Sequence, residues 1–168
     1  MVDQRTQWKG YREALDTITS YFGSRTPPKQ GASSDHKGVD IGASMGAQVI
    51  AAAAGKVTTV SYNSARGYFI VVEHGSGYVT LYQHLNRQDV RTGDMVKAGQ
   101  QIGAVGETGI STAPHLHFEV HVNGTPVDPD GKSLSRFLFL GHFFKKESVN
   151  SIVLSVQICY TKSYRLNK

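Results

Sequence analysis

The chain has 168 residues, of which 39% are hydrophobic and 18% charged, with 18 glycines and 5 prolines. This length allows one domain with a substantial core and is too short for two domains of ordinary size, and the composition is that of a globular, turn-rich protein. The single cysteine, Cys159, excludes both an intramolecular disulfide and a zinc site built from several cysteines.

The formal net charge of +5 is concentrated at one end of the chain. Residues 131–168 hold seven Lys or Arg side chains and one acid, a net +6, whereas residues 1–130 hold 11 basic and 12 acidic side chains, a net −1. A nucleic-acid-binding domain needs a basic face on its folded part. We therefore expect no nucleic-acid partner.

The first predicted element is a short amphipathic helix. Between Gln7 and Ile18, apolar residues recur at spacings of three and four. We interpret residues 1–17 as a helical extension. Residues 18–130 then contain short β-branched and aromatic runs separated by Gly, Asn and Ser, which predict an all-β, mostly antiparallel domain. The expected strands are residues 48–52, 56–62, 68–74, 78–83, 100–104 and 114–122.

Residues 131–168 form a third region, a basic tail of unknown role. Four of the seven phenylalanines lie here, between Phe137 and Phe144, in an apolar run that Gly141 and His142 interrupt. That run is too short to cross a bilayer, and the first 30 residues contain no apolar stretch of signal-peptide length. We expect no membrane span and no signal peptide in this chain.

Five polar residues in three short motifs could carry chemistry. They are His36 and Asp40 in HKGVD, His84 in LYQHL, and His115 and His117 in PHLHFEV. Zinc binds imidazole and carboxylate ligands, and a catalytic zinc site has three protein ligands and one open position. His36, Asp40 and one histidine of the HxH pair would form such a set.

The HxH spacing is typical of a strand that lines a polar groove. Side chains alternate between the two faces of a strand, so His115 and His117 share one face while Leu116, Phe118 and Val120 face the core. A histidine alone is more often a surface or hydrogen-bonded residue than a ligand. The same alternation puts His84, at the end of its predicted strand, on the face of Tyr82.

Other polar residues have a functional and an ordinary interpretation. Glu119 shares the face of His117 and could orient a ligand histidine, or it could lie at a solvated groove edge. Tyr62 and Asn63 precede a glycine turn and could touch a substrate, although loops carry such residues without function. His74 is expected at a hairpin turn, and His121 at the rim of the groove.

The order HxxxD, YxHL and PHLHFE resembles the lysostaphin-type, or LytM-like, zinc endopeptidases. The surrounding stretches are similar as well, and the resemblance covers about Ile18 to Pro129. Its departures are small: Ala113 stands where the family usually has glycine, and AAAAG replaces a more polar turn. The stretches that carry it are residues 18–25, 36–57, 77–85 and 93–120.

This resemblance implies an all-β antiparallel fold of the duplicated-hybrid-motif type, with a groove that holds one zinc ion per chain. It implies that His36, Asp40 and His117 bind the zinc, and that His84 and His115 are catalytic without being permanent ligands. Zinc lowers the pKa of a bound water toward about 7 and polarises the scissile carbonyl. The two catalytic histidines would deprotonate the water and bind the oxyanion, and which does which stays open.

The expected activity is that of a zinc metalloendopeptidase that hydrolyses the peptide cross-links of bacterial peptidoglycan. The alternative is a non-catalytic wall-binding or amidase-activating module of the same fold, against which the intact ligand set argues. VIAAAAGKV and KAGQQIGAVG are also similar to lipoyl-carrier and sugar-phosphotransferase hairpins, but such modules do not explain the three histidine motifs. We expect a monomer that acts on the extracytoplasmic cell wall, either as part of a larger secreted protein or associated with a phage or prophage.

Overall fold

The computed structural model describes residues 18–129, which form β-strands and, within that range, no helix. All strand pairs among these residues are antiparallel, which confirms the all-β prediction. The predicted helix in residues 1–17 and the tail in residues 131–168 lie outside the described residues. The strands are β1 Ile18–Ser20, β2 Gly23–Ser24, β3 Asp35–His36, β4 Val39–Gly42, β5 Gln48–Ile50, β6 Gly55–Asn63, β7 Gly67–Gly75, β8 Tyr78–Gln88, β9 Met95–Val96, β10 Gln101–Val105, β11 His115–Val122 and β12 Thr125–Val127.

Ten of the strands form one sheet, and seven of these lie in the order β1-β4-β11-β8-β7-β6-β9. Three others join it at the sides, since β12 pairs with β11, and β10 pairs with both β8 and β5. The strands β2 and β3 form a separate two-stranded ribbon. The long strand β8 therefore contacts three neighbours, which places it at the centre of the fold.

The core is built from the apolar side chains of the central strands. Val57 of β6, Ile70 of β7, Leu85 of β8 and Ile102 of β10 are each 0% exposed. Burying side chains of this size stabilises a fold by roughly 1.5–3 kcal/mol each. Leu116 and Phe118 of β11 pack against this cluster, so the alternate residues of β11 lie on the opposite face.

The six predicted strands are all present, with one informative difference. The prediction ended the strand of His84 at residue 83, whereas β8 continues to Gln88 and contains His84 in its interior. The short strands β1 to β4, β9 and β12 were not predicted, because two to four residues carry too little alternation to be recognised. Among residues 18–129 no helix is long and apolar enough to cross a membrane.

The glycine of HKGVD is required by the packing of β11 against this segment. A Cβ atom at Gly38 would overlap the carbonyl oxygen of Phe118, so only glycine allows the two backbones to approach this closely. Gly38 lies between His36 and Asp40. The contact therefore fixes the distance of both side chains from β11.

Candidate metal centre

Three strands bring His36, Asp40 and His117 together. His36 ends β3, Asp40 lies in β4, and His117 is paired directly with Asp40 across β4 and β11. The three side chains are buried, at 2%, 8% and 8% exposure. His36 Nε2 lies 3.0 Å from both Asp40 Oδ1 and His117 Nδ1, and His117 Nδ1 lies 2.7 Å from Asp40 Oδ1. Two imidazole nitrogens and one carboxylate oxygen thus converge on one point.

This donor set fits a zinc ion. Zinc–nitrogen and zinc–oxygen bonds of about 2.0–2.1 Å in a tetrahedron separate the ligand atoms by roughly 3.3 Å. The three donor atoms, at 2.7–3.0 Å from one another, are already within about 0.6 Å of that spacing. They belong to one group of metal-ligand type in which all three residues are buried. Within the described residues, these are the side chains that could hold the metal.

The atoms of these residues that point away from the centre have partners of their own. His36 Nδ1 donates to the carbonyl oxygen of Tyr21 at 2.7 Å, which leaves Nε2 as the acceptor nitrogen. His117 Nε2 donates to Glu119 Oε1 at 3.0 Å, which leaves Nδ1 facing the centre. Asp40 Oδ2 accepts a hydrogen bond from Arg25 at 2.8 Å. Each residue is therefore oriented by a second contact, as metal ligands in proteins commonly are.

The electrostatics of the centre favour a cation. Burial alone would raise the pKa of Asp40, but its close contacts with His117, His36 and Arg25 hold it well below its usual range. Burial would also raise the pKa of Glu119, but hydrogen bonds from His117 and His121 lower it to about 2. Burial acts to lower the pKa of His117, and its hydrogen bonds to the two carboxylates outweigh this and raise it. Two buried carboxylates therefore stay ionised at neutral pH.

His84 and His115 form a second pair on the other side of the centre. Their ring centroids lie 4.8 Å apart, and the ring of His84 lies 5.9 Å from that of His117. His84 Nδ1 donates to the carbonyl oxygen of Thr108 at 2.8 Å, and His115 Nδ1 donates to that of Ala113 at 2.8 Å. In both rings Nε2 is therefore the acceptor nitrogen. His115 Nε2 lies 3.6 Å from Asp40 Oδ1, too far for a hydrogen bond.

His84 reaches the centre because its backbone is unusual. Its φ of 63° lies in the left-handed region, which costs a residue other than glycine on the order of 1–3 kcal/mol. This conformation breaks the strand alternation. Tyr82 is in the core at 1% exposure whereas His84 lines the groove, so the prediction that the two side chains share a face was wrong. Burial lowers the pKa of His84 to about 4, helped by the charges of His115 and His117, so the ring is neutral at pH 7.

A groove of about 380 Å³ opens onto these residues. One wall consists of residues between 19 and 32, and the other is the loop 110–114. Lys29 Nζ donates to the carbonyl oxygen of Ser111 at 2.7 Å and joins the two walls. Of the predicted metal-binding and catalytic residues, four line the groove: Asp40, His84, His115 and His117. Both histidine pairs thus contribute to the same accessible space.

The remaining predicted candidates divide into two groups. Glu119 is 6% exposed, contacts His117, and accepts a hydrogen bond from His121 at 2.6 Å, so the alternative of a solvated groove edge is wrong. Tyr62 is 56% exposed and packs its ring 5.0 Å from that of Tyr68. Asn63 Oδ1 accepts backbone hydrogen bonds within its own turn. Neither Tyr62 nor Asn63 lines the groove, and their contact with substrate stays a prediction.

Sequence reasoning missed two residues that support the centre. Arg25 lies in residues 18–25, one of the stretches that resemble the family, but the sequence assigns it no role, because an arginine in a loop is usually solvated. Gln83 donates its side-chain amide to Glu119 Oε1. Its place was signalled by strand alternation, since Gln83 is paired with His117 across β8 and β11. No comparable signal exists for Arg25, which lies 15 residues before Asp40.

Comparisons with known proteins agree with this geometry. The sequence profile of Peptidase family M23 matches residues 34–129. The peptidoglycan DD-endopeptidase ShyB of Vibrio cholerae is 42% identical over 134 residues, which cover 76% of this chain and 30% of that protein. The chain spans between about a fifth and a third of the length of the curated relatives it matches.

Solved structures show the same likeness. A zinc-containing peptidase from Vibrio cholerae matches with a TM-score of 0.62 at 43% identity, covering 67% of this chain and 35% of the other. The catalytic domain of lysostaphin from Staphylococcus simulans matches with a TM-score of 0.62 at 35% identity, covering 73% of this chain and 92% of the other.

Proposed function

The chain belongs to peptidase family M23, and from this premise we propose that it is a zinc-dependent endopeptidase that hydrolyses the peptide cross-links of bacterial peptidoglycan. The observation that carries the proposal is the convergence of His36, Asp40 and His117 beside an open groove that is also lined by His84 and His115. The similarity to a peptidoglycan DD-endopeptidase supports the substrate class.

We assign the metal to three atoms of the centre, namely His36 Nε2, Asp40 Oδ1 and His117 Nδ1. Three protein ligands leave a tetrahedral site with one open position, which is the arrangement of catalytic rather than structural zinc. A bound zinc ion supplies Lewis acidity, which acidifies a water molecule and polarises the scissile carbonyl. Glu119 and the carbonyl oxygen of Tyr21 orient the two ligand histidines through their outer nitrogens.

His84 and His115 supply the proton transfers. In each ring Nε2 is the free nitrogen, because a backbone carbonyl holds the ring at Nδ1. Such a ring accepts a proton from the attacking water and, once protonated, donates a hydrogen bond to the oxyanion or a proton to the leaving amine. Because the pKa of His84 is about 4, this ring gives up a proton readily after taking one.

The proposal places the action of the protein on the extracytoplasmic cell wall, since that is where the substrate lies. Whether the chain acts as part of a larger secreted protein or with a phage particle stays a prediction, as does a monomeric state. The bond that is cut also stays open between bridge and stem-peptide linkages.

Digestion of purified sacculi tests the function. We expect the zinc-loaded protein to release fragments whose masses, measured by mass spectrometry, correspond to hydrolysis of one kind of peptide bond. Walls with different cross-links, treated in parallel, identify that bond. Binding to the walls without release of any fragment would contradict the proposal and would favour a non-catalytic wall-binding module.

A further inference from the structure

Arg25 is held next to the strand that carries His36. It follows β2 directly, and its backbone N–H donates to the carbonyl oxygen of Ser34 at 2.8 Å. The pairing of β2 with β3 places Gly23 opposite His36. Arg25 is therefore fixed to the ribbon that carries one ligand while its side chain reaches another.

The guanidinium of Arg25 contacts the carboxylate of Asp40 from the side away from the centre. Nη1 donates to Asp40 Oδ2 at 2.8 Å and to Ser20 Oγ at 2.6 Å. The two side chains are 21% and 11% exposed. Oδ1 of the same carboxylate faces His36 and His117. Oδ2 of Asp40 thus contacts a cationic side chain, whereas Oδ1 points into the centre.

We propose that Arg25 is a positioning residue that holds Oδ2 of Asp40, so that this carboxylate binds the metal through Oδ1 alone. The inference rests on the proposed function. A carboxylate binds a metal through one or both oxygens. A second oxygen in the centre would take the position that the attacking water needs. A charge-assisted hydrogen bond from arginine makes Oδ2 a poor ligand and leaves that position open.

The segment that provides Arg25 lies outside residues 34–129, the part matched by the family profile. Residues 18–25 supply two further contacts to the ligands and one to Arg25. Tyr21 accepts from His36 through its carbonyl oxygen, Thr19 Oγ1 donates to the backbone oxygen of Asp40 at 3.2 Å, and Ser20 binds Arg25. This segment therefore acts as a support for the metal centre rather than as a simple linker.

Zinc titrations on two matched variants test the inference. In Arg25→Gln we expect zinc affinity, measured by competition with a chromophoric chelator, to fall about 10–100-fold, the range for lost partners of metal ligands. Arg91→Gln is the control, because it makes the same chemical change at an exposed position whose side chain has no contact with the centre. This control should bind zinc as the wild-type protein does.

Cobalt substitution separates a positioning role from a merely structural one. Cobalt(II) binds the same imidazole and carboxylate ligands, and its visible absorption weakens when the coordination number rises from four to five. We expect weaker absorption in Arg25→Gln than in wild type, because Asp40 then binds through both oxygens. At saturating zinc, kcat should fall while KM is unchanged.

Wild-type zinc affinity in Arg25→Gln, or weakened affinity with an unchanged cobalt spectrum, would overturn the inference. If Arg25→Gln does not fold, the milder Arg25→Lys decides, since lysine keeps the charge but loses the planar guanidinium whose Nη1 contacts both Asp40 Oδ2 and Ser20 Oγ. Zinc affinity and a cobalt spectrum equal to wild type in Arg25→Lys also count against the proposal. If the wild-type protein does not bind zinc, the proposed function is wrong as well. If the wild-type protein binds zinc and Arg25→Gln binds it equally well, only this inference is wrong.

Discussion

The two pairs of histidines in the centre are held in different ways. Both ring nitrogens of His36 and of His117 have polar partners, one in the centre and one behind it. His84 and His115 are each held at Nδ1 by a backbone carbonyl, and within residues 18–129 the Nε2 of His84 has no hydrogen-bond partner. Histidines held at both nitrogens suit metal binding, and histidines held at one nitrogen suit proton transfer.

Removal of a residue from the first pair should have the largest effect. In His117→Ala, we expect zinc affinity to fall by more than the roughly 100-fold that loss of a ligand's supporting partner causes, and hydrolysis to fall to background. The substitution removes one of three donors and leaves the buried carboxylates of Asp40 and Glu119 without their shared partner. Metal analysis after dialysis and hydrolysis of a soluble cross-linked peptide measure the two effects. A His117→Ala protein with a full complement of zinc would show that the ligand assignment is wrong.

The second pair should behave differently, and this prediction tests the comparison directly. His115→Ala and His84→Asn should keep their zinc but lose about 100-fold or more in hydrolysis rate, the scale of general acid–base groups. Asparagine is the better replacement at residue 84 because it tolerates the positive φ there. Zinc content and kcat are measured on the same preparations. If His115→Ala loses zinc as completely as His117→Ala, the division between the pairs fails.

Glu119 provides a smaller test of how the first pair is held. In Glu119→Gln the acceptor of the His117 Nε2–H is weakened while the side-chain size is kept, so we expect zinc affinity to fall about 10–100-fold. Glu73→Gln is the matched control, since Glu73 is exposed on β7. Competition with a chelator measures both. An affinity as strong as that of the control variant would mean that His117 does not depend on Glu119.

The same contrast explains what could be predicted from the sequence. Side-chain alternation predicts that His115 and His117 share a face of β11, and the register of β11 with β4 places Asp40 beside His117. These are properties of regular strands, so the local sequence pattern is enough to predict them. The choice of His36, Asp40 and His117 as ligands came from the resemblance to a known family, because a His and an Asp four residues apart are common in loops.

Features that depend on irregular backbone could not be predicted. The strand pattern predicts that His84 lies on the face of Tyr82, because no residue type in TLYQHL indicates a positive φ. Arg25 contacts Asp40 across a segment of 15 residues whose path is set by the β2–β3 ribbon, and each of these strands has only two residues. Short ribbons and left-handed residues are stabilised by tertiary contacts, so local sequence carries little information about them.

A histidine outside the centre shows that polar partners on both nitrogens do not by themselves make a ligand. His74 Nδ1 donates to the carbonyl oxygen of Ala54 at 3.0 Å, and Nε2 lies 2.8 Å from Thr80 Oγ1. The Thr80 hydroxyl is hydrogen-bonded to that of Tyr82 at 3.0 Å. None of these partners is a carboxylate. Burial lowers the pKa of His74 below its ordinary value, although the bond to Ala54 acts in the opposite direction.

His74 should therefore affect stability without affecting catalysis, which is the smallest of the expected effects. Because its pKa is lower in the folded than in the unfolded chain, the unfolded chain binds a proton first as pH falls below about 6.5. The contribution of neutral His74 is present above that pH and is lost below it, with a slope of at most about 1.4 kcal/mol per pH unit for one proton. In His74→Gln the free energy of unfolding should fall less steeply between pH 7 and pH 5 than in wild type, as measured by urea denaturation.

His84 and the metal centre are present in both proteins, so their contributions cancel in the difference. Parallel pH profiles would show that His74 is not buried in its neutral form, and a loss of zinc or of hydrolysis in His74→Gln would show that this histidine is coupled to the centre after all.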